Sequence, residues 1–349
     1  MKRSLFMLGV AVAALSSCSN NEVLDIAESN AIKFSNTFVG KPTRSVTAPE
    51  LTTDNLKEMY VFASKGGDPV FDANPKLVYR IGETNEWGYD NLVAWVANKN
   101  YNFVAYAGKN LGGSVTDNGD NTSLKFSGIV VNGDKDNQFD LLYSNTVERS
   151  TTTVEGNSTI DFTFNHLLSM VQFTLKSGFG ATTEVKITNF KFYGVKTTGS
   201  YDASRESPAW TFSSSAAANN KGDTDFTSAD EEIAQYDAVA TKDVVNSWIV
   251  IPQQNVASGK VEMVTFTVNV VDGESDTQIG TEKTFKAKIP SITWEKGYRY
   301  NYIFTITPEQ MGVDDQYITF DAPKVTEWKD DTNLTIDEDN SSTSGVEFE

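Results

Sequence analysis

From about residue 30 onward the chain alternates apolar and polar positions with a period of two, the pattern of strands that bury one face. Ile32-Lys33-Phe34-Ser35-Asn36-Thr37-Phe38 predicts a first strand, with Ile32, Phe34 and Phe38 as its apolar positions. Further strands are expected at 59–63, 77–81, 101–107, 124–131 and 139–143. The turn formers Lys65-Gly66-Gly67-Asp68-Pro69, Asn118-Gly119-Asp120 and Asn132-Gly133-Asp134 lie between them. Residues 148–158 are rich in Ser and Thr and lose the alternation, so a domain boundary is expected there. The pattern resumes at 160–164, 171–175, 185–195, 248–251, 264–270 and 285–289. Its clearest stretch is 298–306, which sets Tyr298, Tyr300, Tyr302, Phe304 and Ile306 on one face. Two more β-type segments follow, Tyr317-Ile318-Thr319-Phe320 and Lys324-Val325-Thr326-Glu327-Trp328, joined by Asp321-Ala322-Pro323. A polar loop is expected at 213–230, and helical signals are confined to 54–57 and 228–240. Many short strands at this spacing predict an all-β sandwich architecture.

The N-terminus reads differently. Lys2 and Arg3 precede an apolar run from Leu5 to Leu15, too short to cross a hydrocarbon core of roughly 30 Å as a helix. This is the pattern of a signal peptide. It ends in Leu15-Ser16-Ser17-Cys18, which matches the bacterial lipobox, so Cys18 is expected to carry lipid and to become the new N-terminus.

Composition narrows the chemistry. A net charge of −18 argues against nucleic acid, whose phosphates need clustered Lys and Arg. With one cysteine and one histidine, neither an intramolecular disulfide nor a structural Cys/His zinc site can be built. A Ser-His-Asp triad could rest only on His166, and no G-x-S-x-G elbow is present. No carboxylate pair is marked by its neighbours for glycoside hydrolysis, and the acidic turns at Asn132–Asn137 and 337–340 lack EF-hand spacing. No catalytic residue, metal or cofactor is therefore assigned. Arg44, in Lys41-Pro42-Thr43-Arg44-Ser45, follows the first strand on backbone that Pro42 keeps extended. It reads equally as an exposed linker arginine and as a protease site with Ser45 as the new first residue. An alternative from another class is a lipid-anchored surface protein that binds glycans, with Trp87, Trp95 and Trp210 as platforms.

Taken in order, several segments resemble the fimbrillin family, the subunits of type V pili. They are the lipobox at Cys18, a first strand closed by Arg44, Asp140-Leu141-Leu142-Tyr143-Ser144, and Phe164-Asn165-His166-Leu167-Leu168-Ser169-Met170-Val171. Trp248-Ile249-Val250-Ile251-Pro252-Gln253, Trp294-Glu295-Lys296-Gly297-Tyr298-Arg299-Tyr300 and Val325-Thr326-Glu327-Trp328 complete the set. The resemblance implies two tandem transthyretin-like β-sandwich domains and assembly by donor-strand exchange. Its expected divisions are a signal peptide 1–17, a lipidated propeptide 18–44, domains 45–148 and 149–308, and a donor segment with acidic tail 309–349. It also implies that an arginine-specific protease cuts after Arg44 and removes the strand bearing Ile32, Phe34 and Phe38. A strand from another subunit would then fill the groove, the donor being Tyr317 to Trp328 with Tyr317, Ile318, Phe320, Val325 and Trp328. The partners so implied are other pilus subunits, the protease and an unidentified surface ligand. The locations are the outer membrane for the lipidated precursor and the extracellular fimbrium for the product. The acidic tail beyond Trp328 is longer than a bare donor needs, which leaves a tip, anchor or accessory role open beside the stalk. Deleting everything after Pro308 is expected to abolish donation and leave a folded monomer.

Overall fold

The computed structural model describes residues 30–35, 37–40, 50–82, 84, 86–119, 121–133, 137–152, 159–180, 182–192, 195–212, 226–227, 244–254, 264–312 and 317–328. The expectations for the signal peptide, Cys18, Arg44, Ser45, the helical segment 228–240, most of the loop 213–230 and the acidic end fall outside these residues. The described part is all-β, with one short helix, Pro308–Gly312, that the sequence did not predict.

A nine-stranded sheet organises the first half. At its centre Glu58–Lys65 pairs antiparallel with Lys99–Ala107. Lys76–Arg80 and then Trp87–Gly88 extend it on one side. Leu142–Ser144, Thr163–His166 and Phe38–Val39 extend it on the other. The turn after Glu58–Lys65 needs positive φ at two successive residues, and Gly66 and Gly67 take it at 61° and 95°. Both faces of the central strands are covered, which explains apolar runs where strict alternation would be expected. Val61, Ala63, Phe103, Ala105 and Ala107 enter one core, while Phe62, Val104 and Tyr106 enter another on the opposite face.

That second core is roofed by a four-stranded sheet of Ser114–Asp117, Leu124–Val130, Thr198–Asp202 and Trp210–Thr211. Leu124, Phe126 and Ile129 reach down from it, and Leu167, Met170, Ile249, Ile251 and Trp328 join from the C-terminal half. The C-terminal half is a sandwich. One sheet holds Val244–Val250, Ser169–Ser177, Tyr298–Ile306 and Lys324–Glu327; the other holds Phe226–Thr227, Thr183–Phe192, Val264–Asp272, Lys283–Lys288 and Tyr317–Thr319. Phe173, Trp248, Tyr300 and Tyr302 from the first meet Ile187, Phe190, Phe266 and Phe285 from the second. The strand at Tyr298–Ile306 faces this core as its periodicity predicted.

Two expectations are corrected. The division between 148 and 149 falls inside a strand, Val147–Thr151, which pairs with Lys99–Ala107 and buries Val147 and Thr151. Thr163–His166 belongs to the same sheet, so the chain passes into the second sandwich only at 167–169. Thr and Ser there disguise an edge strand as a linker. The domains are also not separate in sequence, because Leu124–Val130 takes Thr198–Asp202 as its neighbour.

Candidate functional site

Residues 30–40 bring the two open ends of the nine-stranded sheet together. Phe34 bridges to Trp87 on one side and, in parallel, to Ile160 on the other, and Ala31 bridges to Ala94. Ile32 N–H donates to Val93 O at 2.8 Å and Trp95 N–H to Asn30 O at 2.9 Å. On the other side Ile160 N–H donates to Lys33 O at 2.8 Å, Ser35 N–H to Ile160 O at 3.1 Å and Gly40 N–H to Phe164 O at 2.8 Å. The segment therefore completes the ring of strands, and its loss would leave backbone groups unpaired along both edges.

Its side chains form part of the core. Ile32 and Val39 are 0% exposed and Phe34 is 3% exposed. The Phe34 ring lies among Phe71, Tyr89, Phe103 and Phe162, with centroids 5.8–6.5 Å away. The inward positions do not follow one continuous alternation. Phe34 is opposite Ile160 and Phe38 opposite Thr163, so the segment advances four residues against three on its partner. One extra residue shifts the phase, as a bulge does, and places Val39 rather than an even-numbered position in the core. Of the three residues expected to anchor this strand, Ile32 and Phe34 do so; Phe38 contributes backbone pairing, and its side chain lies outside the described residues.

The C-terminal segment is docked on its own chain. Tyr317–Thr319 runs parallel to Lys286–Lys288, and Lys324–Glu327 runs antiparallel to Tyr298–Asn301. It thus adds an edge strand to each sheet of the second sandwich. Phe320 is 1% exposed and packs on Phe173, Tyr302 and Phe304. Ile318 is half-buried and Val325 exposed. Removing Phe320 and Trp328 together would open both cores, at about 3–5 kcal/mol for each large aromatic lost. The monomer expected after deletion beyond Pro308 should therefore be less stable than the full chain.

Trp328 ends this segment in a buried polar cluster. Its indole stacks on His166 at 4.1 Å, and its Nε1–H donates to Glu50 Oε1 at 2.5 Å. Glu50 Oε2 lies 3.6 Å from Arg299 Nη2. Asp140 Oδ2 accepts from Leu51 N–H at 2.9 Å and faces His166 Nδ1 at 2.9 Å. Burial pushes the Glu50 carboxyl up from its ordinary value, against the lowering effects of the Trp328 hydrogen bond and the Arg299 charge. His166 is thus a packing residue under Trp328. Glu50 carries no sequence signal; Asp140, His166 and Arg299 lie in three segments of the resemblance. A cavity of about 630 Å³ opens beside the cluster, lined by Gly40, Tyr143, His166, Tyr201, Lys296 and Trp328 among others.

The glycan platform is corrected. Trp87 and Trp95 are buried in the core around Phe34, and Trp210 is half-buried with its Nε1–H donating to Leu167 O at 2.8 Å. Arg44 and Ser45 lie outside the described residues, between Gly40 and Glu50. Among the described residues no group of three His, Cys, Asp or Glu could hold a metal ion, and no helix is long and apolar enough to cross a membrane.

The model of the fimbrillin-like family matches residues 43–328. The chain belongs to that family. Fimbrillin-like proteins are fimbrial and adhesion structural proteins, and membership places the chain with surface components. Among solved structures, a candidate cell adhesion protein from Bacteroides ovatus is similar at 14% identity, covering 85% of this chain and 97% of that one, with a TM-score of 0.49. A candidate cell adhesion protein from Bacteroides uniformis is similar at 15% identity, covering 86% and 100%, with a TM-score of 0.43. A fimbrilin from Porphyromonas gingivalis is similar at 11% identity, covering 87% and 99%, with a TM-score of 0.37. No curated protein sequence matches the fimbrillin-like chain.

Proposed function

We propose that this fimbrillin-like chain is a structural subunit of a pilus, exported as a lipoprotein on Cys18, cut after Arg44 and polymerised by donor-strand exchange. One observation carries the reading: residues 31–40 supply Ile32, Phe34 and Val39 to a core and close a ring of strands. The proposed cut lies four residues beyond Gly40, the last of the described residues in this segment that bonds to the sheet edge. Cleavage converts a filled sheet into one with two unpaired edges and an apolar slot, which an added strand satisfies. The donor is the segment with Tyr317, Ile318, Phe320, Val325 and Trp328, which leaves its own sandwich to do so. The partners are other pilus subunits and an arginine-specific protease; the sites are the outer membrane before cutting and the fimbrium after it.

Edman sequencing of the protein sheared from the cell surface tests the maturation. The expected first residue is Ser45. A blocked, lipid-bearing Cys18 on the assembled fibres would contradict it.

A further inference from the structure

The segment that closes the N-terminal sheet has a copy near the other end of the chain. Ile32-Lys33-Phe34-Ser35-Asn36-Thr37-Phe38-Val39 and Ile318-Thr319-Phe320-Asp321-Ala322-Pro323-Lys324-Val325 share Ile, then Phe two residues on, then Val five residues after that. In the first, these three side chains are the ones sunk in the core, at 0%, 3% and 0% exposure. We infer that Ile318, Phe320 and Val325 of a second copy of this chain occupy the pockets of Ile32, Phe34 and Val39, in that register and in the same direction. The inference rests on the strand-exchange reading and adds the residue-by-residue fit.

The backbone supports the register independently. Beside the ladder pairing of Phe38–Val39, the groove is filled through N–H donors at Ile32, Ser35, Val39 and Gly40, which bond Val93 O, Ile160 O, Thr53 Oγ1 and Phe164 O. Their counterparts are Ile318, Asp321, Val325 and Thr326, each of which has an N–H. The one proline, Pro323, falls at Thr37, whose amide donates none of these bonds. A slip of two residues in either direction keeps the same face inward but sets Pro323 at Ser35 or Val39, where a donor is required. A slip of one turns Ile318 and Phe320 outward. Only the unslipped register satisfies both pockets and donors.

The exchange moves Phe320 from Phe173, Tyr302 and Phe304 to Phe71, Tyr89, Phe103 and Phe162, one aromatic nest for another. Thr326 takes the place of Gly40, where an added Cβ stands 3.3 Å from Phe164 O and 3.5 Å from Asn165 Oδ1, a contact that a small backbone shift relieves. The likeness does not extend before Ile318, since Tyr317 stands against the buried Ala31.

Disulfide trapping reads the register. Ser35 Oγ lies 2.9 Å from Asp161 Oδ1, so its counterpart Asp321 should stand beside Asp161 of the accepting copy. The cut chain has no cysteine of its own, because Cys18 leaves with the propeptide. The double variant Asp161→Cys/Asp321→Cys, cut and oxidised, should give covalent ladders on a non-reducing gel, and Asp161→Cys/Ala322→Cys should give none. Fibres that form but link through 322, or link through neither, would overturn the register while leaving strand exchange intact. A 161–321 link confined to monomers would overturn the second copy as occupant. If the cut parent chain forms no polymer at all, the strand-exchange reading falls and this inference falls with it.

Discussion

Arg44→Ala protein should stay monomeric under the protease treatment that turns the parent chain into ladders on a gel. A pocket built to pair with a guanidinium loses its hydrogen bonds and charge partner when offered a methyl group, and sites of that kind reject the shorter side chain by roughly 10⁴-fold. The uncut variant keeps Ile32, Phe34 and Val39 in the core and the backbone bonds of residues 30–40 in place. Its sheet has no vacancy to fill, so no donor can enter. Ladders from Arg44→Ala at the parent's rate would show that the propeptide need not leave, or that it leaves through another bond.

Phe34→Ala should lower the stability of the uncut chain by about 3–5 kcal/mol, the usual cost of removing a fully packed phenylalanine. The site cannot collapse easily, because Phe71, Tyr89, Phe103 and Phe162 approach the ring from four separate stretches of chain. Urea unfolding followed by tryptophan fluorescence measures the loss, with Trp87 and Trp95 in the same core. After cutting, the variant and parent are the same molecule and their transitions should coincide. An uncut variant that unfolds at the parent's midpoint would mean that the first strand adds nothing to the core it lines.

The β architecture was legible because period-two alternation dominates where one face is buried, as at Tyr298–Ile306. It was less legible where both faces are buried or neither is. The strands at Ser114–Asp117, Val147–Thr151 and Thr198–Asp202 have few large apolar residues and gave no signal. Pairing was beyond reach, since nothing local tells Leu124–Val130 that its neighbour is Thr198–Asp202. The groove was half legible: Ile32 and Phe34 showed themselves, but the extra residue that moves the inward position to Val39 depends on the spacing of the partner strand. The cluster around Trp328 was not legible, because Glu50 and Arg299 are charged residues that read as solvated until the fold encloses them. The copy of Ile32–Val39 at Ile318–Val325 lay in the sequence throughout and gained meaning only once burial marked which three positions matter.

Competition with a synthetic peptide spanning residues 30–40 reaches the central claim most directly. Added in excess to the freshly cut chain, the peptide should re-enter the slot between Trp87 and Ile160 and stop ladder growth, while the same peptide with Phe34→Asp should not. Polymerisation that proceeds unchanged with the native peptide shown to be bound would contradict the claim that filling this slot joins one subunit to the next.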